Sequence, residues 1–250
     1  MEEFFLSPKG LHAILKKKGV DFLYHANTVL TSLTFINENA LLSRAYVEQN
    51  NLVQTAQRSD PADKKFNVWD DVFVDGIDIH QKYKRANSYG PVLFVLKLDL
   101  LLSPSCPRLL ICKNNPMYWK NDDMLSDRYY SDIEEFDKDY LSNKKIDARL
   151  MITFRNPEKA IKLTKFLRIV VIDKPAALFW SAGEKKVVAE VSFSRILTAL
   201  KENSLGHIPL KYRHTDIPIL SCKCVFEYAR QSTFEPAEFI KRFRGKPEVM

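Results

Sequence analysis

The chain has 250 residues, 46% of them hydrophobic, which is enough for one folded domain with a substantial core. It contains 12 prolines but only 7 glycines, and neither a GxGxxG nor a GxxxxGKS/T motif, so a glycine-rich phosphate-binding loop is not expected. The formal net charge of +7 is compatible with a polyanionic partner.

Export and metal binding are not predicted from the sequence. Glu2 and Glu3 are acidic where a signal peptide would be basic, and no hydrophobic run is long enough for a membrane span. Cysteines in such a chain are expected to stay reduced. Cys222 and Cys224 lack the CxxC spacing typical of zinc ligands, so no metal site is predicted. We therefore expect a cytoplasmic protein.

The first quarter of the chain predicts two helices, one strand and a long loop. Leu11–Gly19 has apolar residues at helical spacing, followed by lysines and a glycine, which favours a helix. A strand is expected over Val20–Tyr24 and a second helix over Thr31–Asn39. The polar segment Arg44–Lys65 is rich in turn-forming residues, and we expect a long ordered loop there.

The middle of the chain predicts several strands without helices between them. The acidic segment after Met117 is expected to be a loop with one helical turn. The candidate strands are Val72–Val74, Pro91–Leu100, Arg108–Cys112, Ala148–Phe154 and Phe166–Asp173.

The last part of the chain predicts a strand over Val187–Phe193, a helix over Ser194–Asn203, a strand over Ile219–Tyr228 and a terminal helix over Phe234–Phe243. Because helices cluster early and late, the pattern favours an α+β fold over a regularly alternating one. No linker or repeat stands out. We expect a single domain over 1–250, with a core at about 20–175 and a C-terminal extension over 176–250.

Several short motifs, in their order and spacing, resemble the ADP-ribosyltransferase fold, and most of all the DarT family of toxins that ADP-ribosylate nucleic acid. The resemblance covers roughly residues 20 to 175. It implies a split mixed or antiparallel sheet with flanking helices. The motifs are Leu23-Tyr24-His25, Leu41-Leu42-Ser43, residues 69–74 (WDDVFV), 90–95 (GPVLFV), 148–152 (ARLMI) and 167–171 (LRIVV).

The resemblance implies that NAD is used as a substrate and that nucleic acid, RNA or DNA, is the acceptor. It also implies a toxin of a toxin–antitoxin or phage-defence system, held in check by an antitoxin protein. Tyr24 and His25 would be cofactor-binding residues, with His25 binding the ribose or nicotinamide part of NAD. Arg58, or else Arg44, would lie near the phosphates, and Tyr89 near the nicotinamide. Cleavage of the nicotinamide–ribose bond develops positive charge, which a carboxylate stabilises.

The catalytic carboxylate is where the chain departs from the related toxins. Those toxins carry a glutamate directly after an alanine at the start of a strand, whereas here Arg149 follows Ala148. An arginine cannot act as a base at neutral pH. The candidates are therefore Asp147, or an acidic loop residue such as Glu134 or Glu135. One position along a strand turns a side chain to the opposite face, so Asp147 needs a bulge or loop to replace the glutamate.

A basic tract runs from Tyr140 to Lys174 and is predicted to contact the phosphates of the acceptor. The acidic segment from Asp122 to Asp139 precedes it and could repel or gate the same ligand. The candidate nucleic-acid-binding residues in the tract are Lys144, Lys145, Arg155 and Lys159.

Two other functions remain open from the sequence. Asp70, Asp71, Asp75 and His80 are close in the chain, and carboxylates with a histidine can bind Mg²⁺ or Mn²⁺ as in metal-dependent nucleases. The other alternative is a catalytically inactive transferase fold that only binds nucleic acid or a partner, for which Arg149 is the main support.

Overall fold

The computed structural model describes residues 1–105, 107–142, 150–157, 161–181, 184–213 and 222–244. Its strands are β1 (Phe22–Asn27), β2 (Ala40–Leu41), β3 (Val72–Asp75), β4 (Val92–Lys97), β5 (Leu109–Cys112), β6 (Met151–Phe154), β7 (Ile161–Lys162), β8 (Leu167–Ile172), β9 (Leu178–Ser181), β10 (Glu184–Val187) and β11 (Leu210–Tyr212).

The helices are α1 (Pro8–Lys17), α2 (Val29–Asn37), α3 (Arg44–Gln49), α4 (Asp60–Lys65), α5 (Ile79–Tyr83), α6 (Leu125–Arg128), α7 (Ile133–Ser142), α8 (Leu163–Phe166), α9 (Val188–Glu202), α10 (Cys224–Phe234) and α11 (Pro236–Phe243). Short 3-10 helices cover Glu2–Phe4, Leu98–Leu102 and Pro116–Tyr118. No helix in the described ranges combines the length and the apolar character needed to cross a membrane.

Seven strands form the central sheet, in the order β11-β8-β4-β1-β3-β6-β5. β11 is parallel to β8, while the other neighbouring strands are antiparallel. The predicted α+β class with a mixed sheet is confirmed. The C-terminal extension takes part in this sheet, because β11 lies at its edge.

The sheet is split between β1 and β3. β1 pairs with β4 along its whole length, from Phe22 to Asn27, but it pairs with β3 only where Tyr24 lies opposite Asp75. The backbone ladder between β1 and β3 therefore ends after one residue pair. A gap opens next to His25 where backbone hydrogen bonds would otherwise fill the space.

One face of the sheet carries the main hydrophobic core. Leu23 and Phe94 of the two central strands are buried there, in one cluster with Phe35 of α2 and Leu200 of α9. Burial of each such side chain contributes about 1.5–3 kcal/mol to folding. Alternate residues of a strand face opposite sides, so His25 lies on the core face with Leu23, and Tyr24 lies on the other face.

Four predicted elements are wrong. The acidic segment after Met117, expected to be a loop with one helical turn, contains α6 and the ten-residue helix α7. Val188–Glu202 is one helix where a strand was expected over Val187–Phe193, and its buried positions Ser192, Ile196 and Leu200 recur every four residues. Cys224–Phe234 is also helical, although Ile219–Tyr228 alternates in polarity like a strand. The expected loop Arg44–Lys65 contains α3 and α4 at its ends, and Ser43 caps the first of them.

Candidate active site

A pocket lies at the split between β1 and β3. Its walls come from β1, β3, the start of α2, the segment between α3 and α4, and the loop that carries Tyr89. The pocket therefore combines residues that are up to about half the chain apart in the sequence. The side chains that carry its chemistry are His25, Asn27, Gln54, Gln57, Asp63, Asp71, Asp75, Tyr89 and Asn115.

His25 is a neutral imidazole with a fixed tautomer. Its Nδ1 lies 2.7 Å from the carbonyl oxygen of Phe73, which can only accept, so Nδ1 carries the proton. Its Nε2 then accepts a hydrogen bond from the side-chain amide of Asn27, at 2.7 Å. Burial lowers the pKa of His25 to about 4, although the bond to Phe73 partly opposes this shift. The ring stacks on Phe35, with centroids 5.7 Å apart.

Asp75 is the carboxylate in this pocket that has no hydrogen-bond partner among the described residues. It is the last residue of β3, between Tyr24 on one neighbouring strand and Met151 on the other. Burial, and to a smaller extent the charge of Asp78, raises the pKa of Asp75 to about 7. A cationic ligand group in the pocket would favour its ionised form.

The other two carboxyl groups of the pocket are held by protein contacts. Asp71 accepts hydrogen bonds from the Arg155 side chain at 2.7 Å and from the backbone N–H of Asn156 at 2.9 Å. Burial nevertheless raises the pKa of Asp71. Burial also raises the pKa of Asp63, to about 6, against a hydrogen bond from Ser59. Asp75 is therefore the acid best placed to meet a ligand charge.

Arg44 shapes the pocket wall through internal contacts. Its Nη2 donates to Asp60 at 2.7 Å and to the carbonyl oxygen of Thr55 at 3.0 Å, and its guanidinium lies over the ring of Trp69. Asp60 also accepts from the backbone N–H of Gln57. These bonds fix the segment between α3 and α4, so the structure gives Arg44 a positioning role and leaves its charge largely compensated.

Tyr89 and Gly90 form the opposite wall. The Tyr89 hydroxyl accepts a hydrogen bond from the Asn115 side chain at 2.8 Å, and burial raises the pKa of Tyr89 to about 12. Gly90 has a φ of +153°, and a Cβ at this position would lie 2.2 Å from the Asn27 carbonyl. Only glycine allows Tyr89 to approach β1 this closely.

A second, more basic cleft adjoins the first and shares Gln57, Ser59 and Tyr89 with it. Arg58 is exposed there and forms no ion pair within the described ranges. The far wall comes from α10 and α11 and carries Arg230, Lys241 and Arg242, together with two glutamates. The α10–α11 cations were not predicted, because no sequence motif links them to residues near His25.

The remaining predicted site residues lie elsewhere. Glu134 is exposed on the first turn of α7 and does not line the pocket. Tyr24 packs against the small apolar cluster around Leu93 on the other face of β1. Arg155 is paired with Asp71. The predicted residues Lys144, Lys145, Asp147, Arg149 and Lys159 fall outside the described residues.

The candidate nuclease ligands are brought together only in part within the described residues. Asp71 faces Arg155, and Asp75 lines the pocket at the split. His80 is buried elsewhere, with Nδ1 3.1 Å from Asp173 and Nε2 3.3 Å from the thiol of Cys222. Asp71 and Asp75 therefore share one pocket, and His80 does not line it.

A comparison with protein-family models gives no match for this chain, and a comparison with curated proteins gives none either. The resemblance to the ADP-ribosyltransferases stays a prediction from the sequence motifs. The function is therefore inferred from the side chains that line the two clefts.

Proposed function

We propose that the protein is an NAD-dependent ADP-ribosyltransferase that modifies nucleic acid. The observation that carries this proposal is that two groups line the same pocket at the split of the sheet. They are the neutral imidazole of His25 and the carboxyl group of Asp75, which has no hydrogen-bond partner among the described residues. Such a site offers a hydrogen-bond acceptor for a ribose hydroxyl and a carboxylate for developing positive charge.

The pocket has the mixed character that a nicotinamide riboside requires. Phe73 and Met151 provide apolar walls, while Asn27, Gln54 and Gln57 provide amide donors and acceptors. Flat rings bind between apolar walls, and a few polar groups fix their orientation.

The adjoining basic cleft fits the diphosphate of the same ligand. Arg58 and Arg242 line it, and Tyr89 belongs to both clefts. Arg230 also lines it but is paired with Glu235 at 2.8 Å. Arginine suits phosphate because its guanidinium donates two parallel hydrogen bonds. This agrees with Arg58, rather than Arg44, as the phosphate-binding arginine.

The proposed roles of Asp75 and His25 follow from their protonation states. Asp75 in its ionised form stabilises the positive charge that develops at the ribose carbon as the bond to nicotinamide breaks. His25 keeps Nδ1 bonded to Phe73, and its Nε2 can exchange Asn27 for a ribose hydroxyl. NAD is consumed in this reaction, and ADP-ribose goes to the acceptor.

Nucleic acid is proposed as the acceptor on the basis of the resemblance, the net charge of +7 and the cations of the second cleft. The toxin role and an antitoxin partner rest on the resemblance. Expression that arrests bacterial growth with wild-type protein, but not with Asp75→Asn, would support a toxin.

Transfer of label from radiolabelled NAD to RNA, single-stranded DNA or protein tests the proposal. We expect label on nucleic acid with wild-type protein and with Glu134→Gln, and at least a hundredfold loss with Asp75→Asn, in line with removal of one electrostatic stabiliser. Full activity of Asp75→Asn would overturn the assignment of the carboxylate. NAD binding without transfer to any acceptor would instead favour the inactive binding module.

A further inference from the structure

We propose that His80, Cys222 and Cys224 form a zinc site, separate from the clefts described above. His80 lies on α5, Cys222 directly precedes α10, and Cys224 is the first residue of α10. All three side chains are buried, and their potential ligand atoms lie within 4.8 Å of one another. The proposal is independent of the proposed transferase activity.

The separation of His80 and Cys222 is close to that of two ligands in a tetrahedral metal centre. Zinc lies about 2.3 Å from cysteine sulfur and about 2.0–2.1 Å from histidine nitrogen, which places neighbouring ligand atoms roughly 3.5–3.8 Å apart. The observed separation of His80 Nε2 and Cys222 Sγ is 3.3 Å. A shift of a few tenths of an ångström would make room for the metal between these two ligands.

The tautomer of His80 is the one that metal binding requires. Its Nδ1 donates to the carboxylate of Asp173, at 3.1 Å, so the lone pair of Nε2 faces the cysteines. Asp173 is held in turn by Arg213, at 2.7 Å, and by the hydroxyl of Tyr228. A carboxylate behind a histidine ligand is the usual way in which proteins orient such a ligand.

Burial favours a metal site over a thiol nucleophile at the same place. Cys222, His80 and Asp173 are lined up like a nucleophile, a base and an orienting acid. However, Cys222 and His80 are each only 1% exposed, so a substrate could not reach the sulfur. A nucleophile would also leave the neighbouring thiol of Cys224 without a role, whereas a zinc ion uses both thiolates.

The site has a route for metal entry. Cys224 lines a cavity together with Ala177, Arg213 and Tyr228. A metal ion can reach the sulfur from this side, and the protons released from the thiols can leave by the same route.

A metal here would fix the wall of the basic cleft. The backbone N–H of Lys223 donates to the carbonyl of Lys84, just after α5, so the start of α10 is already next to α5. Arg230 on α10 and Arg242 on α11 then line the cleft. The zinc ion would thus hold the start of α10 to α5 and stabilise the fold through the free energy of metal binding.

The experiment measures metal content in full-length protein purified from zinc-supplemented medium without chelators. We expect one zinc ion per chain in wild-type protein and in the control Cys112→Ser, whose thiol is buried elsewhere next to Thr153. Cys222→Ser and Cys224→Ser should lose the zinc. Asp173→Asn should retain the ligands but bind zinc roughly 10–100-fold more weakly.

Cobalt substitution in the wild-type chain keeps the proposal testable if these variants fail to fold. Tetrahedral cobalt with two thiolates gives intense visible bands and a near-ultraviolet thiolate charge-transfer band. X-ray absorption should count two sulfur ligands around the metal. Purified protein that holds no metal and takes up neither zinc nor cobalt would overturn the proposal, as would a Cys222–Cys224 disulfide in freshly purified protein.

Discussion

The imidazole of His25 bridges the split in the sheet, because its Nδ1 donates a 2.7 Å hydrogen bond to the carbonyl oxygen of Phe73. The strands that carry these residues share one backbone pair, at Tyr24 and Asp75, and the side-chain bond continues the connection where the ladder ends. The His25 ring therefore connects the two strands at the edge of the pocket. Its Nε2 must stay unprotonated to accept the hydrogen bond from the Asn27 side chain.

Acid should weaken the fold through His25. Its pKa of about 4 in the folded protein lies below the unfolded value of 6.5, so the unfolded state binds more protons between these pH values. Stability from His25 is present above pH 6.5 and is lost as the pH falls toward 4, by about 3 kcal/mol in total. Asp75 titrates over the same range, so the contribution of His25 is measured as the difference in the free energy of unfolding between wild-type protein and His25→Gln, and this difference should shift by the same amount against wild-type protein in urea unfolding from pH 7 to pH 4. An identical pH dependence of stability in both proteins would contradict the lowered pKa of His25.

Ionisation of Asp75 should affect the stability of the fold in the opposite direction, with a loss as the pH rises. Its pKa of about 7 lies above the ordinary aspartate value of 3.8, so its contribution is complete below pH 4 and is lost as the pH rises through 7. We expect Asp75→Asn to be more stable than wild-type protein at pH 8 by about 2 kcal/mol, roughly half the full linkage value because the carboxyl is partly exposed. Thermal unfolding at pH 5 and pH 8 measures the difference. The exposed Asp99→Asn change serves as the control.

Much of the fold could be predicted because the apolar runs of β4 and β8 are strong local signals. The predicted strand over Ile219–Tyr228 was wrong for a physical reason, since α10 begins at Cys224. Cys224 and Tyr228 are buried on one face of a helix at a spacing of four, and the same spacing also fits an alternating strand. Long-range contacts decide between the two patterns, and a single sequence does not contain them.

The candidate site was predicted in part. His25, in the motif Leu23-Tyr24-His25, and Tyr89, directly before the motif at 90–95, both line the pocket, while their role toward NAD stays a prediction. Arg44 was expected near phosphates, but its charge is paired with Asp60, a contact that only the tertiary fold creates. Asp75 was assigned to a metal cluster. The role proposed for Asp75 depends on the separation of β3 from β1, which a single sequence does not show.

Replacement of Gly90 by alanine should damage both the fold and ligand binding. The new Cβ would meet the Asn27 carbonyl at 2.2 Å, so β1 or the Tyr89 loop must move. We expect a loss of about 2–3 kcal/mol in the free energy of unfolding, as for other overpacked sites, and weaker NAD binding. Gly206→Ala is the matched control, because its nearest neighbour would lie at 3.5 Å, an ordinary contact. Equal stability of the two variants would argue against this close approach.

Substitutions of Arg58 and Arg44 should have different effects, the first on NAD binding and the second on the stability of the fold. Arg58→Ala removes an exposed cation of the basic cleft, so we expect NAD affinity to fall about tenfold with no change in unfolding temperature. Arg44→Ala breaks the ion pair with Asp60 and should lower the free energy of unfolding by about 2–3 kcal/mol. Calorimetric titration with NAD and thermal unfolding distinguish the two effects. Arg168→Ala, an exposed change outside both clefts, should alter neither quantity.

NAD affinity should rise with pH because the nicotinamide ring carries a positive charge that ionised Asp75 attracts. The pKa of about 7 leaves this carboxyl about half protonated at neutral pH. Binding of the cation favours the ionised form and so lowers the pKa, which makes binding release protons between pH 6 and 8. Titration calorimetry in buffers of different ionisation enthalpy measures this release directly. Asp75→Asn should abolish it, whereas Glu134→Gln should leave it unchanged. A release that persists in Asp75→Asn would assign the proton to another group of the pocket, such as Asp63.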